Sequence, residues 1–152
     1  MSETVHATAV LVGSDGVLIR GESGAGKSAL ALALIEAGAR LIADDRLTLS
    51  ACHDRLVATA PQATLGMIEL RGRGVINVPH ERSGIIRLVA DIVRDEGLER
   101  MPEAHQLTAS LLGIALPRQP VPAAIDRAVR LLKAALGASK LRPDLGLRSG
   151  QV

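Results

Sequence analysis

The chain has 152 residues, 47% hydrophobic and 22% charged, a balance that suits one globular domain and excludes a disordered chain. Phe, Tyr and Trp are all absent, so the core must be aliphatic, and no ring is available to stack on an unpaired base, which argues against single-stranded nucleic-acid binding. The net charge of +2 comes from 18 basic and 16 acidic residues interspersed along the chain, with no basic block to serve as a polyanion footprint.

Residues 5–12 are short and rich in β-branched side chains, Gly13-Ser14-Asp15-Gly16 supplies a tight turn, and residues 17–20 resume as a strand, which predicts a hairpin. After a glycine-rich stretch, residues 28–37 are dominated by Ala and Leu and predict a helix, with Gly38 placed for a left-handed cap. Residues 40–43 form a short apolar run ending at Asp44-Asp45, the pattern of a buried strand with acidic side chains at its carboxyl end. Residues 46–60 read as short strands around a turn at Cys52-His53-Asp54, and 61–67 as loop. GMIELRGRGVINV predicts a strand entering a constrained glycine turn, and 85–93 a further strand. Residues 102–109 carry no clear pattern, and 111–114 read as a brief strand. Pro122 is placed as the first residue of a helix to about Leu136, with Ile125, Val129, Leu132 and Leu136 on one face and Gly137 as its stop. The expectation is an α/β fold: a P-loop nucleotide-binding core with a mixed sheet, a hairpin before the P-loop and a C-terminal helix. Residues 1–140 form the catalytic domain in this reading, and 141–152 a disordered tail.

That P-loop is Gly21-Glu22-Ser23-Gly24-Ala25-Gly26-Lys27-Ser28, with Gly21, Gly26, Lys27 and Ser28 at every fixed position of GxxxxGK[ST]. Its glycines let backbone amides turn inward around phosphates, and the following helix adds its positive N-terminal end. Lys27 is expected on the β- and γ-phosphates and Ser28 on Mg2+, making a purine nucleoside triphosphate the expected ligand. Asp44 and Asp45 read either as a solvated turn, the usual fate of adjacent acids, or, at the end of an apolar strand after a P-loop helix, as a metal ligand and catalytic base, and the second reading is favoured. On chemistry alone Glu69 fits a metal site or an edge strand equally well, and Arg71, Arg73 and Arg100 also read as surface charges. His6 reads as an exposed polar residue, and His53, His80 and His105 lack ligand-like spacing.

The single cysteine, Cys52, excludes an internal disulfide and fits a reducing compartment. No run approaches the roughly 18 apolar residues a membrane span needs. A cytoplasmic protein without a membrane or nucleic-acid partner is expected.

Together, HATAVLVGSDGVLIRGESGAGKSALALALIEAGARLIADD followed by GMIELRGRGVINV resembles the HPr kinase/phosphorylase family. The second motif matters most, because P-loop proteins in general do not share it. The resemblance implies Lys27 on the phosphates, Ser28 and Glu69 on Mg2+, His6 and Arg100 as active-site residues, and Asp45 as the acid/base. It implies ATP and Mg2+ as cofactors, phosphorylation of a serine on the phosphocarrier protein HPr or a related carrier, and a homohexamer. Relatives in the family carry a separate N-terminal domain, so the chain resembles either a short catalytic form or a fragment. Where the family has a PVRPGR-like segment associated with dephosphorylation, this chain reads Pro120-Val121-Pro122-Ala123-Ala124-Ile125 without its arginines. A kinase with weak or absent phosphorylase activity is therefore expected. The alternatives are a P-loop kinase of a small metabolite and a nucleotide-sensing module that transfers nothing.

Overall fold

Val17, Leu18 and Ile19 are each fully buried, although successive side chains on a strand point to opposite faces. The strand that carries them, β3 (Asp15–Arg20), is therefore covered on both sides, as its unbroken apolar run requires. Val17 and Ile19 join one core with the helices, and Leu18 joins a second core on the other face. The structure is a computed structural model that describes residues 1–140, and the tail expected at 141–152 lies outside the described residues.

The preceding strands are β1 (Ser2–Val5) and β2 (Thr8–Val12). β2 pairs antiparallel with β3 in the expected hairpin. Helix α1 (Lys27–Glu36) follows β3 and buries Leu30, Ala31, Leu34 and Ile35 against the sheet. Strand β4 (Arg40–Ala43) returns antiparallel to β2 and so runs in the same direction as β3. β5 (Leu47–Cys52) and β6 (Arg55–Thr59) make the expected hairpin. β5 also pairs with β1, which curls this end of the sheet around the second core.

β9 (Ser83–Ile92) is the longest strand and the junction of the sheet. It lies parallel to β3, while its first residues pair antiparallel with β6 and its last pair in parallel with β11 (Ile114–Val121). The parallel strands β3, β9 and β11 thus end together, with Arg20 in register with Asp91 and Val121 with Ile92. Ligands of open α/β sheets bind at such an edge.

β7 (Met67–Leu70) and β8 (Gly74–Asn77) form a separate two-stranded hairpin. Ile68 anchors it in the helix-side core, leaving Met67 and Glu69 on the outer face. Its base is tight: at Gly66, φ is +76°, and an added Cβ would come within 2.5 Å of the His80 ring.

Two expectations need correction. The brief strand expected at 111–114 is instead the turn between β10 (Thr108–Leu111) and β11, with Leu112 and Gly113 both at positive φ. Pro117 and Pro120 hide β11 in the sequence. They are tolerated because its first half pairs only with β10 and its second only with β9, so each half behaves as an edge. Helix α2 (Ile125–Lys140) starts three residues after Pro122 and runs through Gly137. Pro122 is still buried behind the sheet, and the first helical bond runs from the Ala128 N–H to the Ala124 carbonyl. The expected inward face is present, with Leu132 buried and Ile125, Val129 and Leu136 packed against the core.

Candidate active site

The loop at residues 21–28 leaves the carboxyl end of β3 and enters α1. Gly24 and Gly26 hold φ of +80° and +109°, and an added Cβ at either meets nothing within 4 Å, so the glycines leave the mouth of the loop open. Gly26 is the N-cap of α1 and supplies no side-chain bond to the helix's first amides. The first turn of the helix carries no acidic residue of its own, which leaves its amides and partial positive charge to partners outside the helix. Lys27 Nζ folds back onto the carbonyls of Gly21 and Glu22, at 3.0 and 3.1 Å.

A cavity of about 450 Å³ opens over this loop, lined by Ser23, Gly24, Gly26, Lys27 and Ser28 from the loop and the first turn of α1. Asp45 lines it from the end of β4, and Glu69, Leu70 and Arg71 from the β7–β8 hairpin. Elements distant in sequence thus bring most of the expected site residues to one place. Gly21, Glu22 and Ala25 belong to the same loop and do not line the cavity. His6 lies on the exposed bend between β1 and β2, and Arg100 is exposed on the segment after β9; neither lines the cavity. Arg100 nevertheless belongs to a connection that leaves the same sheet edge as the loop.

Asp44, a candidate metal ligand or base on its sequence alone, and Thr8, which carries no sequence signal of a role beyond its place in an apolar run, organise the floor. Asp44 Oδ1 accepts from Ser28 Oγ at 2.7 Å and from Thr8 Oγ1 at 3.1 Å, while its Oδ2 accepts from the Glu69 backbone N–H at 3.2 Å. The Asp45 N–H donates to Thr8 Oγ1 at 3.2 Å. One carboxylate therefore ties α1, β2 and β7 together, and Asp45 projects from the next position with a left-handed backbone, φ 72°. The sequence signal was a threonine inside the apolar run ATAVLV, which is the buried polar residue of the core, 1% exposed.

A second cluster stands at the entrance to the loop. Arg20, immediately before Gly21, makes a two-pronged pair with Asp91 at 2.8 and 2.9 Å, and Arg118 donates to the same carboxylate. Burial pushes the Asp91 carboxyl up, but hydrogen bonds and charge from Arg20 and Arg118 outweigh it and hold the group below its ordinary value. The other guanidinium arm of Arg118 donates to the Gln106 carbonyl at 2.7 Å, which ties the segment after β9 to the sheet.

Ser28 Oγ and the Glu69 carboxylate are hard oxygen donors on one cavity. Among the described residues no group of three or more His, Cys, Asp or Glu side chains is arranged to hold a metal ion by itself. That donor set suits a small hard cation that keeps water and phosphate oxygens in its shell, as Mg2+ does. No helix among the described residues is long and apolar enough to cross a membrane.

Among the described residues the architecture is thus a mixed α/β domain with a curled sheet, two α-helices and a glycine-rich strand-to-helix loop under an oxygen-lined cavity. The chain belongs to the HPr serine kinase C-terminal domain family, whose model matches residues 1–142. It is 33% identical over 141 residues to the HPr kinase/phosphorylase of Limosilactobacillus reuteri, covering 86% of this chain and 44% of that protein. It is 47% identical over 75 residues to the HPr kinase/phosphorylase of Clostridium tetani, covering 49% of this chain and 25% of the relative. The chain therefore matches less than half the length of these curated relatives. Among solved structures, the Hpr(Ser) kinase/phosphatase from Coxiella burnetii superposes with a TM-score of 0.70 at 28% identity, covering 91% of this chain and 96% of that one.

Proposed function

We propose that the chain transfers the γ-phosphoryl group of ATP, with Mg2+, to a serine hydroxyl of the phosphocarrier protein HPr or a related carrier. The observation that carries this reading is the single cavity on which the glycine loop, Lys27, Ser28, Asp45 and Glu69 converge. The names borne by the relatives support HPr as the acceptor.

Phosphoryl transfer asks a protein mainly to align donor and acceptor and to stabilise charge on the transferring group. The 21–28 loop supplies inward amides and the end of α1, and Lys27 exchanges its two carbonyl partners for phosphate oxygens. Ser28 and Glu69 would hold Mg2+, which would supply neutralisation of the phosphate charge. Asp45 accepts the proton of the serine hydroxyl as its oxygen attacks, and returns a proton to that oxygen in the reverse direction. Arg100, carried on the segment tied down by Arg118, closes over the transferring group, and His6 lies beside the acceptor. A cytoplasmic homohexamer is the assembly that accompanies this activity in our reading.

The test is ATP-dependent phosphate transfer to purified HPr by wild type, Asp45→Asn and Lys27→Ala. Wild type is expected to transfer phosphate. Asp45→Asn should keep nucleotide affinity while losing roughly 10²–10⁴ of the rate, and Lys27→Ala should lose both. Undiminished transfer by Asp45→Asn removes the base from the scheme, and no transfer by wild type overturns the function.

A further inference from the structure

Resting on that reading, we infer that Thr8 is a positioning residue for phosphoryl transfer: its hydroxyl sets the Asp44-Asp45 pair so that Asp45 faces the acceptor. A buried hydroxyl away from water must find partners, and this one has two. It donates to Asp44 Oδ1 at 3.1 Å and accepts the Asp45 N–H at 3.2 Å. Donor and acceptor functions of a single oxygen are thus used on adjacent residues of the same turn.

Those two bonds fall where the backbone most needs them. Asp45 holds φ of 72°, a left-handed conformation that Asp adopts more readily than most side-chain-bearing residues but that still costs energy relative to ordinary φ, and the bond from its N–H to Thr8 helps hold it there. This turn is also where the chain separates the two carboxylates. Asp44 is held on the floor by Ser28, Thr8 and the Glu69 amide, while Asp45 lines the cavity. Without the Thr8 hydroxyl, the Asp45 amide loses its acceptor and Asp44 loses one donor, and the peptide between them is free to rotate toward ordinary φ. Asp45 would then swing away from the acceptor, while Lys27, Ser28 and the glycine loop, which make no bond to Thr8, keep their grip on the nucleotide.

The fold supports this directional role. β2 carries Thr8 at its start, β3 carries the loop at its end, and β4 carries Asp44 just beyond its last residue, so the hydroxyl bridges the neighbouring β2 and β4 at the working edge of the sheet. A residue required only for packing would need its methyl group and volume, which valine supplies, and not its oxygen.

The experiment compares wild type, Thr8→Val and Thr8→Ser in steady-state transfer from ATP to HPr, with nucleotide affinity and urea unfolding measured on each. Thr8→Val keeps shape and loses the oxygen, and is expected to lower kcat roughly ten- to a hundredfold while KM and affinity for nucleotide stay within about threefold. Thr8→Ser keeps the oxygen and should restore the rate to within about threefold of wild type. Wild-type kcat in Thr8→Val, an equal loss in Thr8→Ser, or parallel loss of nucleotide affinity each overturns the inference. If Thr8→Val does not fold, Thr8→Ala is judged by the same criteria. A wild type that transfers no phosphate sinks the parent function instead, which keeps the two failures distinct.

Discussion

Ser28 and Asp44 are joined across 16 residues by a hydrogen bond of 2.7 Å, from the serine hydroxyl to carboxylate Oδ1. Because Ser28 is the proposed Mg2+ ligand, this bond fixes which way the hydroxyl's remaining lone pair points. Groups that orient a ligand govern metal affinity almost as strongly as the ligand does. Asp44→Asn keeps the shape but places an amide where Ser28, Thr8 and the Glu69 amide all donate. The expected result is an increase of about ten- to a hundredfold in the Mg2+ concentration giving half-maximal transfer. Titrating the rate with Mg2+ checks it. An unchanged midpoint would reduce Asp44 to a structural tie.

How much of this was visible beforehand depended on the kind of interaction. The hairpin, α1, β4 and the position of the loop were legible because each is written locally, in apolar runs, helix-forming residues and glycines. β10 and β11 were not, since Pro117 and Pro120 contradict a strand unless one knows that β11 changes partner midway. The start of α2 is not legible either, because Pro122 fits a first helical turn equally well, yet the chain first completes a bond from the Val93 N–H to the Val121 carbonyl. At the site, motif residues were legible and their supports were not. Thr8 lies 36 residues from Asp44 and Asp91 lies 71 from Arg20, and no local pattern announces partners so distant.

The Asp91 cluster makes a prediction about acid stability. Its carboxyl titrates lower in the folded chain than in the unfolded one, so its contribution is present above the ordinary carboxylate range and is lost as pH falls through the depressed value. With a side chain only 13% exposed and two arginines directed at it, Asp91→Asn is expected to cost about 1.5–3 kcal/mol near neutral pH. As pH falls through and below the ordinary carboxylate range, the unfolded chain takes up a proton on this carboxyl before the folded chain does, and the gap between the two proteins should narrow. Urea unfolding of both from pH 7 to pH 3 measures it; an equally wide gap at both ends would rule out the ion-pair account.

The last prediction concerns direction. Release of phosphate from a phosphorylated serine by inorganic phosphate needs a second anion beside the first, and hence cations to hold it in line for attack. In this chain the stretch from Pro120 to Ile125 contains no charged side chain, and it leaves the same sheet edge as the 21–28 loop and the segment bearing Arg100. Val121 and Pro122 are buried there, and only Ala123 and Ala124 are offered to solvent. The nearest preceding cation, Arg118, is already engaged by Asp91 and the Gln106 carbonyl. Nothing in that stretch attracts a second phosphate, so transfer from ATP should proceed while phosphorolysis stays slow. Incubating serine-phosphorylated HPr with enzyme, Mg2+ and inorganic phosphate should yield little pyrophosphate, at a rate at least roughly tenfold below the forward reaction. Rapid pyrophosphate release would show that cations elsewhere, such as Arg71 on the cavity wall, take over the second phosphate.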